Sequence, residues 1–295
     1  MAMDKLRLHD RALGAYLGLA VGDALGATVE FMLPREIVYQ YGTHRDIIGG
    51  GWLKIKAGRV TDDTEMALAL GRALLASRGW NANAVADSFV TWLKSRPIDI
   101  GNTCRRGIQR YILNGSLSGP MSEGDAGNGA AMRNLPVVLA TLNNDEAFRQ
   151  QTLDESRFTH NHPLSDAATL ALGEMTRTML KGGGVKECRE IVKILLLEYP
   201  KFQFHPYPGR ASGYIVDTMQ TVLHHYFITD SFETLVVDTV NRGEDADTTG
   251  AIAGMLGGAL YGANAIPRRW VNKLEQKVVS EIHQQVNGLL RLAER

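Results

Sequence analysis

Apolar residues along this chain recur mostly at spacings of three and four, the period of helices with one buried face. Strand-like alternation is scarce. The pattern predicts helices over 11–27, 64–78, 82–95, 102–114, 129–142, 165–181, 185–198, 213–227, 231–241, 248–262 and 268–293, with Asp10 as N-cap of the first. Pro97, Gly115, Gly119, Pro120, the run Gly182 to Gly184, Pro200, Pro206, Pro208 and Pro267 fall between these segments. Residues 41–60, rich in glycine, are the longest stretch that does not read as helix. No charged or Ser/Gly-rich linker divides the chain. One mostly α-helical domain over residues 1–295 is predicted, with 1–9 a flexible N-terminus.

Two of the predicted helices carry glycine every fourth residue: Gly14, Gly18, Gly22 and Gly26 in one, Gly250, Gly254, Gly258 and Gly262 in the other. Each set lies along one ridge and strips it of side chains, so another backbone can come close. Glycine inside a helix costs about 1 kcal/mol relative to alanine, so four per helix points to a packing need. The same pattern marks helix dimers in membranes. Here Asp23 and Glu30 interrupt the first segment, and Asp245 and Asp247 open the second, which favours two helices crossing tightly inside a soluble bundle. That crossing would carry Glu30 towards the second segment.

A chain of 295 residues with formal net charge zero has no basic footprint for nucleic acid and no polybasic membrane anchor. The N-terminus lacks the apolar run of a signal peptide, and no stretch of eighteen uninterrupted apolar residues occurs. Cys104 and Cys188 lack metal-ligand spacing and fit reduced thiols. A cytoplasmic monomer without direct membrane insertion is expected.

The chemistry concentrates in two acidic clusters. Thr61, Asp62, Asp63, Thr64 and Glu65 precede one helix of small and apolar residues; Glu244, Asp245, Ala246, Asp247, Thr248 and Thr249 precede another. Each admits a bland reading as helix capping, with Thr61 or Asp62 as N-cap, Asp62 and Glu65 at capping-box spacing, and acids favoured by the helix dipole. Capping needs one carboxylate per helix, however, and each helix has two. Brought together, four Asp carboxylates and two Thr hydroxyls would need cations, and an all-oxygen set suits magnesium or manganese rather than zinc. Weaker signals lie between the clusters. Gly124, Gly127 and Gly129 form a glycine-rich turn ahead of the helix predicted from 129, either an anion cradle or a plain connection. His160 and His162 precede a helix that Ser165 or Asp166 could cap, and Asp99 precedes a helix starting near Asn102.

Taken in order, GAYLGLAVGDALGATVEF, VTDDTEMALAL, GNGAAMR, THNHPLSDA and GEDADTTGAIAGMLGGALYG span nearly the whole chain, and together they resemble the ADP-ribosylglycohydrolase family. The segments GNTCRRGI and SEGDAGNGAAM are most similar to the branch that acts on dinitrogenase reductase. The resemblance implies an all-α, orthogonal helical bundle with a dinuclear manganese or magnesium cleft, manganese preferred. By motif, Thr61, Asp62, Asp63, Asp245, Asp247 and Thr248 would hold the two cations. Glu30 and Asp99 would lie near the reacting ribose and move the proton. Gly127, Asn128 and Gly129 would line the diphosphate, His160 would touch the ligand, and Asn102 and Tyr214 would be further substrate contacts. Glu244 stands where some relatives have glycine.

The implied reaction cleaves the N-glycosidic bond between ADP-ribose and an arginine of dinitrogenase reductase. Whether water attacks directly or the ribose ring opens first stays open, as does the choice between Glu30 and Asp99. Other linkages, such as ADP-ribosyl serine, or a silent ADP-ribose-binding protein, are the competing readings. The branch further implies a PII-type signalling protein and, through it, the ammonium transporter as partners that draw the enzyme to the inner membrane.

Overall fold

The computed structural model describes residues 2–294, and among them fourteen α-helices. In chain order these are α1 (Ala2–Gly26), α2 (Pro34–Tyr41), α3 (Asp62–Ala76), α4 (Ala82–Lys94), α5 (Asn102–Asn114), α6 (Leu135–Ala140) and α7 (Asp145–Thr159). There follow α8 (Pro163–Leu180), α9 (Val185–Glu198), α10 (Ile215–Ile228), α11 (Phe232–Val240), α12 (Ala246–Tyr261), α13 (Arg268–Val271) and α14 (Gln276–Ala293). Strand pairing among the described residues is limited to two isolated bridges, Gly50–Ile55 and Gly127–Tyr214. No described helix is long and apolar enough to cross a membrane.

The all-α single-domain bundle predicted from the sequence is what the structure shows, and its centre is the pairing of α1 with α12. The glycine ridges meet antiparallel and backbone to backbone. A Cβ added at Gly14, Gly18 or Gly22 would lie 2.5, 2.1 or 1.9 Å from the carbonyl oxygens of Gly258, Gly254 and Gly250. The fourth contact departs from the expected pairing: Gly26 meets the Ala246 carbonyl, at 2.2 Å from an added Cβ. Gly262 lies beyond the ridge at φ 83°, where Asp10 packs against it. Around this seam the remaining helices close one continuous core, with Leu19, Leu25, Ile252 and Leu256 essentially inaccessible.

Several boundaries differ from the periodic pattern. Residues 2–9, expected as a flexible arm, continue α1, and Leu8 packs on the core while His9 bonds Asn287 at 3.1 Å. Asp10 therefore lies inside the helix, bonded to Asn264 at 3.0 Å, and caps nothing. Helix α7 was not predicted, because the face it buries is largely polar: Thr152, Glu155, Ser156 and Thr159 are buried beside Phe148 and Phe158. Glu155 forms a fully buried ion pair with Arg133, whose guanidinium also bonds Thr159 Oγ1 at 2.7 Å and lies 4.9 Å from the Phe89 ring centre. The helix predicted over 129–142 shortens to α6, and residues 129–133 form turns. The one predicted over 268–293 breaks between Val271 and Gln276.

Alanine at a seam glycine sets a helix-propensity gain of about 1 kcal/mol against overpacking. Overpacking costs about 1–3 kcal/mol and occasionally more, and two facing backbones cannot rotate aside as a side chain can. Gly22→Ala and Gly254→Ala are therefore expected to lose about 2 kcal/mol or more in urea unfolding. Gly101→Ala, where an added Cβ meets nothing within 4 Å, is expected to stay within about 0.5 kcal/mol.

Candidate metal and substrate cleft

Because α1 and α12 run antiparallel, the C-terminal end of the first meets the N-terminal end of the second. Asp23 and Glu30 thereby reach the acidic turn at Asp245–Thr248. The α3 N-terminus is bound to the same place through Asp23, which the sequence offered only as an interruption of an apolar segment. The buried Asp23 carboxylate accepts hydrogen bonds from Thr61 N (3.0 Å), Thr61 Oγ1 (2.9 Å), Thr64 N (3.2 Å) and Thr64 Oγ1 (2.5 Å). It thus satisfies first-turn donors of α3 that a local cap would otherwise take. Thr61 occupies the N-cap position without a side-chain cap bond, and so does Asp245 at α12. Neither N-cap residue therefore caps its own helix: Asp62 accepts from Gly101 N (3.1 Å) and Asp63 from Thr61 Oγ1 (3.1 Å), and in the second cluster only Asp247 takes a first-turn donor, Thr248 N at 2.8 Å. Glu65 is not part of a capping box either, being bonded to Arg59 at 2.5 Å and Trp92 Nε1 at 2.8 Å.

The two clusters converge across a cleft of about 410 Å³ lined by Glu30, Asp62, Asp99, Asn102, Gly127, Asn128, Gly129, His160, Asp245, Asp247 and Thr248. Thr61 and Asp63, fully buried, stand behind that wall; Thr61 Oγ1 is 3.1 Å from Asp63 Oδ2 and 3.5 Å from Asp247 Oδ2. Glu30, Asp245 and Asp247 each bring a carboxylate oxygen within 4.8 Å of the others. Glu30, read from the sequence as a proton carrier, therefore also belongs to the closest group of acidic oxygens. Tyr214 is not among the lining residues: its backbone is engaged in the bridge to Gly127, and its side chain is partly exposed at the start of α10.

Burial raises the affinity of these acids for protons, joined by mutual repulsion at all but Asp23, where hydrogen bonds from Thr61 and Thr64 oppose it. Loss of hydration comes first in every case. Glu30 and Asp62 are pushed up to about 8, Asp23 and Asp245 to about 6, and Asp63 and Asp247 well above the usual carboxylate range. Asp63 Oδ1 is buried with no hydrogen-bond partner. An orphaned carboxylate oxygen beside hydroxyls and further carboxylates is the donor set a hard divalent cation takes. This acidic group could bind such an ion.

The glycine-rich turn does not continue into a regular helix as expected. It is pinned instead by Ser165 Oγ donating to Gly127 O (2.9 Å) and by Asn128 N donating to Gly213 O (3.2 Å). The Asn128 N–H is thus spent within the protein. Its side chain donates to Thr218 Oγ1 (2.9 Å) and Asp245 Oδ2 (2.5 Å), joining the turn to the second acidic cluster. His160 packs beneath: its Nδ1 is 2.7 Å from Thr159 Oγ1, and an added Cβ at Gly129 would strike its ring at 2.6 Å. Burial, followed by the charges of Arg133 and Arg106, holds His160 well below its ordinary pKa, so the imidazole is neutral. His162, rather than Ser165 or Asp166, caps α8, its Nδ1 accepting from Leu164 N at 3.1 Å.

Two aromatic residues at the mouth were not singled out by the sequence. Trp52 Nε1 donates to Glu30 Oε2 at 2.6 Å, and Phe31 lies 5.2 Å from Trp52 between ring centres. Glu244 has φ 51°, a left-handed conformation that glycine adopts more readily. Its backbone bonds Phe31 N (2.6 Å) and Met32 O (2.9 Å) and so ties the second cluster to the segment after α1.

The sequence model of ADP-ribosylglycohydrolase matches residues 4–295. The chain is 58% identical to ADP-ribosyl-[dinitrogen reductase] glycohydrolase of Rhodospirillum rubrum, over 97% of each chain. It is 31% identical to ADP-ribosylarginine hydrolase Tri1 of Serratia proteamaculans (strain 568), over 94% of this chain and 79% of that one. Among solved structures it is similar to an ADP-ribosylglycohydrolase-related protein complex, with a TM-score of 0.85 and 32% identity over 97% of this chain and 99% of the other.

The raised carboxylates fix the sign of a pH dependence. Their folded-state pKa values, about 6 to 8, exceed ordinary unfolded values of about 4, so the folded protein holds the extra protons. The stability they contribute is complete below pH about 4 and is lost as pH rises through about 6 and then about 8. Thermal unfolding in EDTA is therefore expected to show Tm falling between pH 5 and 8.5, with manganese or magnesium restoring it at the upper end. Asp63→Asn should remove that restoration. An EDTA profile that rises with pH would contradict the account.

Proposed function

The chain belongs to the ADP-ribosylglycohydrolase family, and from that premise we propose that it removes ADP-ribose from a modified arginine of dinitrogenase reductase and so reactivates nitrogenase. The observation that carries this reading is the 58% identity, over 97% of both chains, to the Rhodospirillum rubrum enzyme named for that substrate. The Tri1 relative, an ADP-ribosylarginine hydrolase by name, weighs for arginine over the serine linkage.

In the proposed reaction the bond between the anomeric carbon and the guanidine nitrogen breaks, and its electron pair stays on nitrogen. A water oxygen bonds to the anomeric carbon, and one of its protons ends on that nitrogen. Thr61, Asp62, Asp63, Asp245, Asp247 and Thr248 would hold two divalent cations, manganese preferred over magnesium, which supply Lewis acidity and orientation for the ribose hydroxyls and the attacking water. Glu30 and Asp99, reaching the same cleft from different elements, are proposed to take the proton from water and deliver it to the leaving nitrogen. Asp99 is the freer of the two, since only its Oδ1 is engaged, by Ile100 N at 2.7 Å. Glu30 is held by Trp52. Gly127, Asn128 and Gly129 would flank the diphosphate, the neutral His160 would meet the ligand without adding charge, and Asn102 and Tyr214 would be further contacts, Tyr214 from the rim. Recruitment by a PII-type protein, and through it by the ammonium transporter at the inner membrane, completes the proposal.

ADP-ribose release from arginine-modified dinitrogenase reductase, with and without manganese, tests the assignment against a serine-linked peptide in parallel. Preference for the serine linkage would overturn it. Asp99→Asn is expected to lower turnover about 100-fold or more while calorimetric manganese binding is retained. Unchanged turnover would remove Asp99 from the proton path.

A further inference from the structure

A second opening of about 860 Å³ adjoins the acidic cleft and shares Glu30, Phe31 and Trp52 with it. Its outer wall is α2 with Arg35, Glu36 and Tyr39, and its other side is the turn bearing Trp52. That turn is closed by paired bonds between Gly50 and Ile55 (2.8 and 3.0 Å). It is pressed onto the end of α1, where Thr28 Oγ1 donates to Gly49 O at 3.1 Å and an added Cβ at Gly51 would lie 2.4 Å from Ala27 O. The Trp52 side of the shared opening is thus fixed by backbone contact.

The aromatic side chains there are held outward at a cost. Phe31 is 64% exposed and sits at φ 63°, a conformation unusual for a bulky residue, held by the bond from its N–H to Glu244 O. Trp52 is 50% exposed, and its indole is oriented by Glu30. Two tilted rings with centres 5.2 Å apart, beside the Glu30 carboxyl that accepts the Trp52 indole N–H, present π faces and a hydrogen-bond acceptor at one place. A planar, weakly hydrated guanidinium on an aliphatic stem is the group that such a surface recognises.

We propose that this groove is the subsite of the arginine side chain, its guanidinium held against Phe31 and Trp52 beside Glu30 and its stem leading out along α2. The assignment rests on the arginine-linked reading above. It gives the substrate two separate footholds: the acidic cleft takes the ADP-ribose half, and the aromatic mouth takes the half that leaves. Phe31 and Trp52 then act as positioning and specificity residues rather than proton carriers, and discrimination between linkages resides in them.

Binding of N-methylguanidinium, followed by ligand-observed NMR in saturating ADP-ribose, tests the subsite without requiring turnover. Phe31→Leu and Trp52→Leu are expected to weaken that binding about fivefold, consistent with the usual strength of a cation–π contact, while ADP-ribose affinity stays within about twofold. Trp52→Phe and Trp52→Leu both lose the bond to Glu30, so recovery in the Phe variant reports the π face alone. In steady-state assays the arginine-linked KM should rise in parallel, with kcat little changed for Phe31→Leu. Guanidinium binding that is absent from the wild type or unchanged in both leucine variants would overturn the subsite, as would an equal loss of ADP-ribose affinity. Failure of the wild type to release ADP-ribose from modified arginine would instead count against the proposed activity, because the binding measurement stands apart from it.

Discussion

Everything in the cleft depends on one packing constraint, the side-chain-free seam between α1 and α12. Glycine on both ridges lets backbone meet backbone at Gly14–Gly258, Gly18–Gly254 and Gly22–Gly250. Such a seam has no tolerance for slippage, since a shift of one residue would bring Cβ atoms into the facing carbonyls. Register is therefore fixed, and with it the meeting of Gly26 with Ala246. That meeting is what carries Asp23 and Glu30, at the end of one helix, to Asp245 and Asp247, at the start of the other.

The seam also explains how so many acids can be buried. Removing a carboxylate from water without a partner costs several kcal/mol. Asp23 avoids this by accepting four hydrogen bonds from Thr61 and Thr64, which places the α3 N-terminus against α1. The remaining acids are not compensated in this way. Asp63 keeps a bare oxygen, and Asp62 receives one backbone N–H, from Gly101 at 3.1 Å. The fold thus divides the acids: Asp23 does the capping for α3, while Asp62 lines the cleft and Asp63 stands behind it, each with a single hydrogen bond, from Gly101 N and Thr61 Oγ1.

Much of this was legible in the sequence because the informative signals were regular. Glycine at every fourth position in two distant segments implied a close crossing, and paired Asp with Thr at two helix starts exceeded what capping requires. What escaped was whatever depends on tertiary partners. Asp23 read as an interruption because its partners lie at Thr61 and Thr64, reached only once α1 and α3 pack. Helix α7 escaped because it buries Thr152, Glu155 and Thr159 around the Arg133 guanidinium, so its inner face is polar and shows no apolar stripe. Trp52 and Phe31 sit in irregular segments, where no periodicity speaks, and their roles come from a turn pressed onto α1 and from a backbone bond to Glu244. The family likeness reached the acids, the Gly127–Gly129 turn and His160, but it could not say that the Asn128 N–H is already committed to Gly213 O.

The sequence divided the acids into cation holders and proton carriers, and the geometry redraws that line at Glu30. Its carboxylate shares a 4.8 Å cluster with Asp245 and Asp247 while accepting the Trp52 indole N–H, so one group meets the second acidic cluster and the aromatic mouth together. Asp99 has no such double attachment; it lies at the loop leading into α5, half-buried, with a single backbone bond. A group held by two neighbours is suited to fixing geometry, and a loosely held one to changing protonation state as the reaction proceeds. On that argument Glu30 is placed to link the aromatic mouth to the acidic centre, and Asp99 is the less constrained of the two carboxyls proposed for proton transfer.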